Sequence, residues 1–254
     1  MRIWAIADLH LSFGAPKPMD IFGDRWRNHP DRIAAQWRKL VTEDDLVLLA
    51  GDSSWGLRAP IALPDLEWIA ALPGHKILTK GNHDYWWDDV RKQRRRDGSA
   101  ENPYHLPSLS LIEAEAVEHG GWVLCGTRGW VTPGQPYFKP ETDERIYVRE
   151  IGRLERALDA AARLAGGSRP IGVLLHYPPF LPDGTPTAFA EMIGAAGARF
   201  CVYGHLHRRA DWDMAAQGDH KGVCYHLTSC DFLGFTPSLI VNERGSVQTR
   251  SQMG

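Results

Sequence analysis

Apolar residues along the chain fall into short runs that alternate with amphipathic stretches. Residues 3–7 (IWAIA), 46–50 (LVLLA), 75–79 (HKILT), 171–175 (IGVLL) and 199–203 (RFCVY) read as buried strands, each short and followed by loop residues. Between them, 31–40 places Ile33, Trp37 and Leu40 at helical spacing. Residues 64–72 read as a helix opened by Pro64 and ended by Pro73-Gly74. A helix over 85–96 leads into a polar stretch, and 144–165 is the longest helical pattern, stopped by Gly166-Gly167. A short helix is expected near 186–197, and loops over 13–30 and 129–143. Residues 110–117 and 121–126 read as a hairpin across His119-Gly120-Gly121. Strand patterns at 222–229, 237–242 and 246–250 make the tail read as an antiparallel meander.

Composition narrows this to one α/β domain over 1–254 containing two sheets. The chain is 43% hydrophobic, enough for a sizeable core, and no linker or repeat divides it. A formal charge of -2 supplies no overall basic field, so long nucleic acid and anionic membrane are not the expected partners. No apolar run approaches the ~20 residues a membrane span needs. The chain enters a strand at once, without a signal-peptide pattern, so a cytoplasmic location is expected. Cys125, Cys201, Cys224 and Cys230 form no C-x-x-C pair, which argues for small buried hydrophobes rather than disulfides or a thiolate zinc site. The basic run at 91–96 reads as a solvated helix end, with attraction of an anionic substrate as the alternative.

The chemistry lies just past the apolar runs. Five of them end on Asp8 and His10, Asp52, Asn82 and His83, His176, and His205 and His207. Taken singly, each is an ordinary turn or a satisfied histidine. In α/β sheets, however, the carboxyl ends of strands share one rim, where such groups converge. Their oxygen and imidazole donors suit borderline divalent metals. With His83 set aside, seven candidates exceed the four ligands of one tetrahedral ion and suit two ions sharing a carboxylate, a clamp for displacement at phosphorus.

DLH at 8–10, GD at 51–52, GNHD at 81–84, the lone His176 and GHLH at 204–207 together resemble the calcineurin-like metallophosphoesterases. The resemblance covers about residues 1–210, with all five blocks intact. GNHDYWW and CGTRGW (125–130) are similar to an uncharacterised bacterial branch of predicted phosphohydrolases. The resemblance implies a β-sandwich of two mixed sheets flanked by helices, in αββα layers. It also implies two divalent ions from among manganese, iron, zinc and nickel, the first two favoured. Asp8, His10 and His207 would hold one ion, Asn82, His176 and His205 the other, and Asp52 would bridge them through its two oxygens. His83 would be general acid or charge stabiliser, with Asp84 orienting it. The implied reaction is hydrolysis of a phosphoester by water or hydroxide bridging the metals. The substrate would be a small or peptide-borne phosphoester. A phosphodiesterase for cyclic nucleotides or nucleic acid is the alternative within this chemistry, and a non-catalytic protein-binding scaffold the alternative outside it.

Arg128 is a candidate clamp for substrate phosphate, against the plainer reading of a surface arginine. Asp24, Arg25 and Trp26 are candidate pocket residues. Tyr85, Trp86 and Trp87 read as packing aromatics and His226 as structural. His29, His75, His105, His119 and His220 are assigned to the surface or loops.

Overall fold

A computed structural model describes residues 1–97 and 104–249. One sheet holds β1 (Ile3–Ile6), β2 (Leu46–Ala50), β3 (His75–Thr79) and β4 (Leu109–Ile112), all parallel, with β11 (Ser238–Val241) antiparallel at the β1 edge. The second sheet holds β6 (Trp122–Thr127), β7 (Ile171–Leu175), β8 (Phe200–Tyr203) and β10 (Val223–Leu227) in parallel order. Its antiparallel edges are β5 (Glu115–His119) and β9 (Gly218–His220).

Strand alternation turns these sheets into layers. Ile3, Ala5, Leu46 and Leu48 pack on Leu124, Leu174, Phe200 and Val202 between the sheets. The opposite face of the first sheet, with Trp4, Ile6, Val47 and Leu49, is covered by Ile33 and Trp37 of α1 (His29–Leu40) and Leu66 and Ile69 of α2 (Ala59–Ala70). The outer face of the second sheet packs Val123, Val173 and Cys201 against Leu154 and Leu158 of α4 (Pro140–Ala165) and Phe189 of α5 (Ala188–Ala195). The result is the expected αββα sandwich, in which each fully buried Leu, Ile or Val contributes about 1.5–3 kcal/mol. All four cysteines are free and buried. No helix among the described residues is long and apolar enough to cross a membrane.

Several elements depart from the expected pattern. The helix expected from Pro64 starts at Ala59, with Pro60 in its first turn and Pro64 inside it. Pro64 falls where only one i→i−4 bond is forfeited, so the helix tolerates it. Residues 110–117 are not one hairpin arm. Ala114 takes a left-handed φ of 60°, and the chain leaves β4 in the first sheet to enter β5 in the second. The tail is no meander either, because β10 lies parallel to β8 and β11 crosses to the first sheet. Val247 makes one isolated bridge to Val241. α3 (Trp87–Asp97) carries the basic run, and the polar stretch after it lies partly outside the described residues.

Candidate metal centre

The carboxyl ends of β1, β2 and β3 in one sheet and β7 and β8 in the other meet at one rim, bringing together all seven predicted ligands. The backbone there is bent to do so. Asp8, His10, Asp52 and His205 have φ values of 59°, 46°, 52° and 74°, a left-handed conformation that costs non-glycine residues energy. Asp8 N–H donates to Gly51 O at 3.0 Å and His10 N–H to Asp52 O at 3.0 Å, so the first two loops hold each other in this shape. A Cβ on Gly81 would collide with the Asp52 carboxylate, and one on Gly204 with that of Asp8. These glycines permit close approach of backbone to ligand.

The donors form two linked groups. Asn82 Oδ1 lies 2.7 Å from His176 Nε2 and 2.9 Å from His205 Nδ1, and the two imidazole nitrogens are 3.2 Å apart. On the other side His10 Nε2 and His207 Nε2 are 3.4 Å apart, with Asp8 Oδ1 3.8 Å from His207 Nε2. Asp52 Oδ2 joins the groups, 3.4 Å from His176 Nε2 and 3.9 Å from His10 Nε2. Its other oxygen accepts the His83 backbone N–H at 2.7 Å. A single oxygen of Asp52 therefore faces both groups, not the two oxygens expected. Ligand atoms of Asp8, His10 and His207 lie within 4.8 Å of one another, as do those of Asp8, Asp52 and His176.

Electrostatics make this set fit for cations. Burial lowers His176 to about 3 and holds His10 and His205 well below the usual imidazole range, so all three are neutral and able to ligate. The His176 Nδ1–H donates to Ala50 O at 3.0 Å, which leaves Nε2 free as a donor atom. Burial, reinforced by Asp52 and opposed by His207, pushes Asp8 up to about 7. Burial likewise raises Asp52. His207 is the exception: burial would lower it, but the bond to Asp231 and the Asp8 and Asp52 carboxylates outweigh that and raise the ring to about 9, so it carries a proton whose place a divalent ion at the carboxylates would take.

Residues 1–209 match the calcineurin-like phosphoesterase family. The chain belongs to that family. The chain is 36% identical over 83 residues to Gene 66 protein of Mycobacterium phage L5, a match spanning 32% of this chain and 39% of that relative. Its fold is similar to that of phosphopantetheinyl hydrolase from Mycobacterium tuberculosis, with a TM-score of 0.54, 16% identity and coverage of 97% and 98% of the two chains. A protein of unknown function from Aquifex aeolicus aligns with a TM-score of 0.49 and 14% identity, over 94% of this chain and 95% of its own.

Around this centre, some supporting residues differ from expectation. Asp84 does not orient His83. Its carboxylate accepts from the N–H groups of Gly81, Asp52, Ser53 and Ser54 and from Trp86 Nε1, at 2.8–3.2 Å, and so clamps the GD and GNHD loops together. The His83 ring instead lies tilted against that of Trp55, with centroids 4.4 Å apart. Asp231, which the sequence did not mark, lies 3.0 Å from His207 Nδ1 and is held by Arg25 at 3.1 Å. Arg25 also donates to His207 O, and Trp26 lies edge-on to His10, so two of the three first-loop candidates line the centre. Asp24 is exposed and pairs with Arg27. His29 is not a surface residue but is buried, with its ring bonded to Trp26 O and Leu9 O beneath the DLH loop. His75 and His119 stack on each other across β3 and β5. The Tyr177 ring lies tilted against that of His205, with centroids 4.1 Å apart. Trp86 and Trp87 are core residues, Tyr85 is exposed, and His226 is buried away from the centre. Arg128 is no surface arginine. It is buried, 3.1 Å from Glu150, and its carbonyl accepts the N–H groups of His176 and Tyr177.

Proposed function

We propose that the chain is a dinuclear phosphoesterase, hydrolysing a small or peptide-borne phosphoester with water as nucleophile. The observation that carries this reading is the position of Asp52 Oδ2 between His176 Nε2 at 3.4 Å and His10 Nε2 at 3.9 Å, with a further donor group on either side. Asp8, His10 and His207 would hold one ion and Asn82, His176 and His205 the second. When bound, the ions would neutralise charge on the phosphoryl oxygens and acidify water toward neutrality.

The chain's own groups do the rest. Asn82 is a neutral donor, which limits the negative charge an incoming phosphate meets. His83, its backbone tethered to Asp52 and its ring against Trp55, donates a proton to the departing ester oxygen or stabilises its charge. Burial lowers its pKa, and the Asp52 carboxylate opposes that. The organic part of the ester has a place along an apolar groove of about 330 Å³ lined by Tyr177, Phe180, Leu206 and Met214, which opens at His205 and His207.

The test is a panel of aryl phosphate monoesters and diesters with apo-protein reconstituted with Mn²⁺, Fe²⁺, Ni²⁺ or Zn²⁺, alongside metal analysis. Two bound ions with metal-dependent hydrolysis are expected. No bound ion under any reconstitution, with no hydrolysis, would leave the scaffold reading in its place.

A further inference from the structure

Beside the metal centre lies a second, smaller pocket of about 200 Å³ whose lining is mostly cationic, with Tyr85 as its one aromatic among the described residues. Lys80, Arg91, Arg128, Arg149 and Arg153 line it, with Asp88 as the one carboxylate on the wall, and Asn82 forms the boundary shared with the metal-ligand cluster. Behind the wall the arginines are anchored on buried acids. Glu150 lies 2.8 Å from Arg153, 3.1 Å from Arg128 and 3.4 Å from Arg149, and Glu113 lies 2.8 Å from Arg153 and 3.5 Å from Arg91. Asp88 takes Lys80 at 3.0 Å and Arg91 at 3.6 Å. Among the described residues five cations therefore meet three carboxylates, leaving two positive charges in excess.

Structural pairing accounts for only part of this arrangement. The Arg128 side chain is only 11% exposed, yet its Nε, with no accessible surface of its own, has no hydrogen-bond partner among the described residues. A buried guanidinium with an unused donor, in a pocket of excess positive charge, calls for an anion. The volume falls below the about 300–1,000 Å³ of sites for organic ligands. Its small size also differs from the extended stripe of phosphate contacts that a nucleic acid needs.

We infer that this pocket is an anion subsite for a second phosphate group of the substrate, adjoining the scissile phosphate across Asn82. It rests on the phosphoesterase reading of the neighbouring centre, and it narrows the substrate class to molecules bearing two phosphoryl groups. Arg128 and Arg149 contribute guanidinium donors, Lys80 a point charge, and Glu150 fixes the arginines without neutralising the set. The apolar groove is lined by His205 and His207 and shares no lining residue with the cationic pocket, so the substrate's second phosphate and its organic portion have separate places.

Two measurements test this, one of them independent of hydrolysis. In calorimetric titration of inorganic phosphate into metal-free protein, the wild type binds, and Arg149→Ala weakens binding by about tenfold, the scale of one charge-assisted hydrogen bond. Arg156→Ala, which removes the same charge from an exposed position of α4 outside the pocket, leaves it unchanged. Absence of binding, or equal loss in both variants, overturns the subsite even if hydrolysis is found. In the loaded enzyme, kcat/KM is compared for α,ω-alkanediol bisphosphates of increasing spacer length and the matching alkyl monophosphates. The bisphosphate-to-monophosphate ratio exceeds one at an optimal spacer and falls about tenfold in Arg149→Ala. An equal fall for both substrates would assign the pocket to the scissile phosphate and overturn the inference. Phosphate binding that is lost in Arg149→Ala, in a protein that hydrolyses nothing with any metal, would uphold the anion site and refute the phosphoesterase mechanism.

Discussion

Asp231 Oδ1 lies 3.0 Å from His207 Nδ1, while the other ring nitrogen of His207 lies 3.4 Å from His10 Nε2. The pairing assigns the Nδ1 proton to the Asp231 side and leaves Nε2 as the metal-facing donor. Arg25 holds Asp231 in place and also binds the His207 carbonyl, so ring and backbone are both restrained. Asp231→Ala should weaken metal affinity by about 10–100-fold, with Asp231→Asn intermediate because it keeps an acceptor. Calorimetric titration of Mn²⁺ into apo-protein measures this. Wild-type affinity in both variants would remove Asp231 from the centre's support.

Asp84 predicts a different failure. Five N–H donors from two loops converge on its buried carboxylate. In Asp84→Ala those donors lose their acceptor in a dry site, which costs on the order of 3 kcal/mol or more. Denaturant unfolding of apo-protein should show that loss before any metal is added, and reconstitution should be poor. A stable Asp84→Ala protein with reduced turnover would return Asp84 to the reacting site.

The Arg2–Asp45 pair predicts the acid limb of stability. Arg2 reaches Asp45 with its backbone N–H at 2.8 Å and its guanidinium at 2.7 Å, tying the start of β1 to the turn before β2. Burial alone would raise Asp45, but the bonds from Arg2 and Thr42 outweigh it and bring the carboxyl down to about 2 from its ordinary 3.8. A carboxyl depressed in the folded state stabilises above its unfolded pKa and stops doing so as pH falls through its folded one. Its contribution is thus complete above about pH 4 and is lost toward pH 2. Urea midpoints for wild type and Asp45→Asn should differ at pH 6 and converge near pH 2. A constant difference across that range would show that Asp45 contributes no protonation-linked stability.

Much of the centre was legible because its ligands sit in contiguous blocks directly after apolar strands, so pattern and chemistry coincide at Asp8, Asp52 and Asn82. Asp231 was not. It meets His207 only because the chain after β10 passes the rim, and nothing near it in sequence signals a histidine partner. His29 was hidden for a related reason, since its ring bonds lie with Leu9 and Trp26 rather than in its own helix. Asp84 was visible but assigned the wrong partner, because adjacency to His83 in sequence says little about where a carboxylate points after a sharp turn. The sheet change at Ala114 escaped because the apolar and polar alternation from Ile112 to Ala116 hides one left-handed residue.

His83 should separate chemistry from metal binding. It stands in the same turn as Asn82, yet its ring packs on Trp55 and tilts against that of His10 at 5.7 Å rather than joining either donor group. Removing the imidazole in His83→Ala leaves the His83 backbone bond to Asp52 available, so both donor groups should keep their shape. Metal content should stay at the wild-type level while turnover falls by about 10²–10⁴. The loss should shrink for esters with acidic leaving groups, such as p-nitrophenol, if the ring protonates the departing oxygen. If it acts only through charge, the loss should be similar across leaving groups. Metal analysis and kcat across a leaving-group series distinguish these outcomes, and an unchanged kcat for every ester would take His83 out of the reaction.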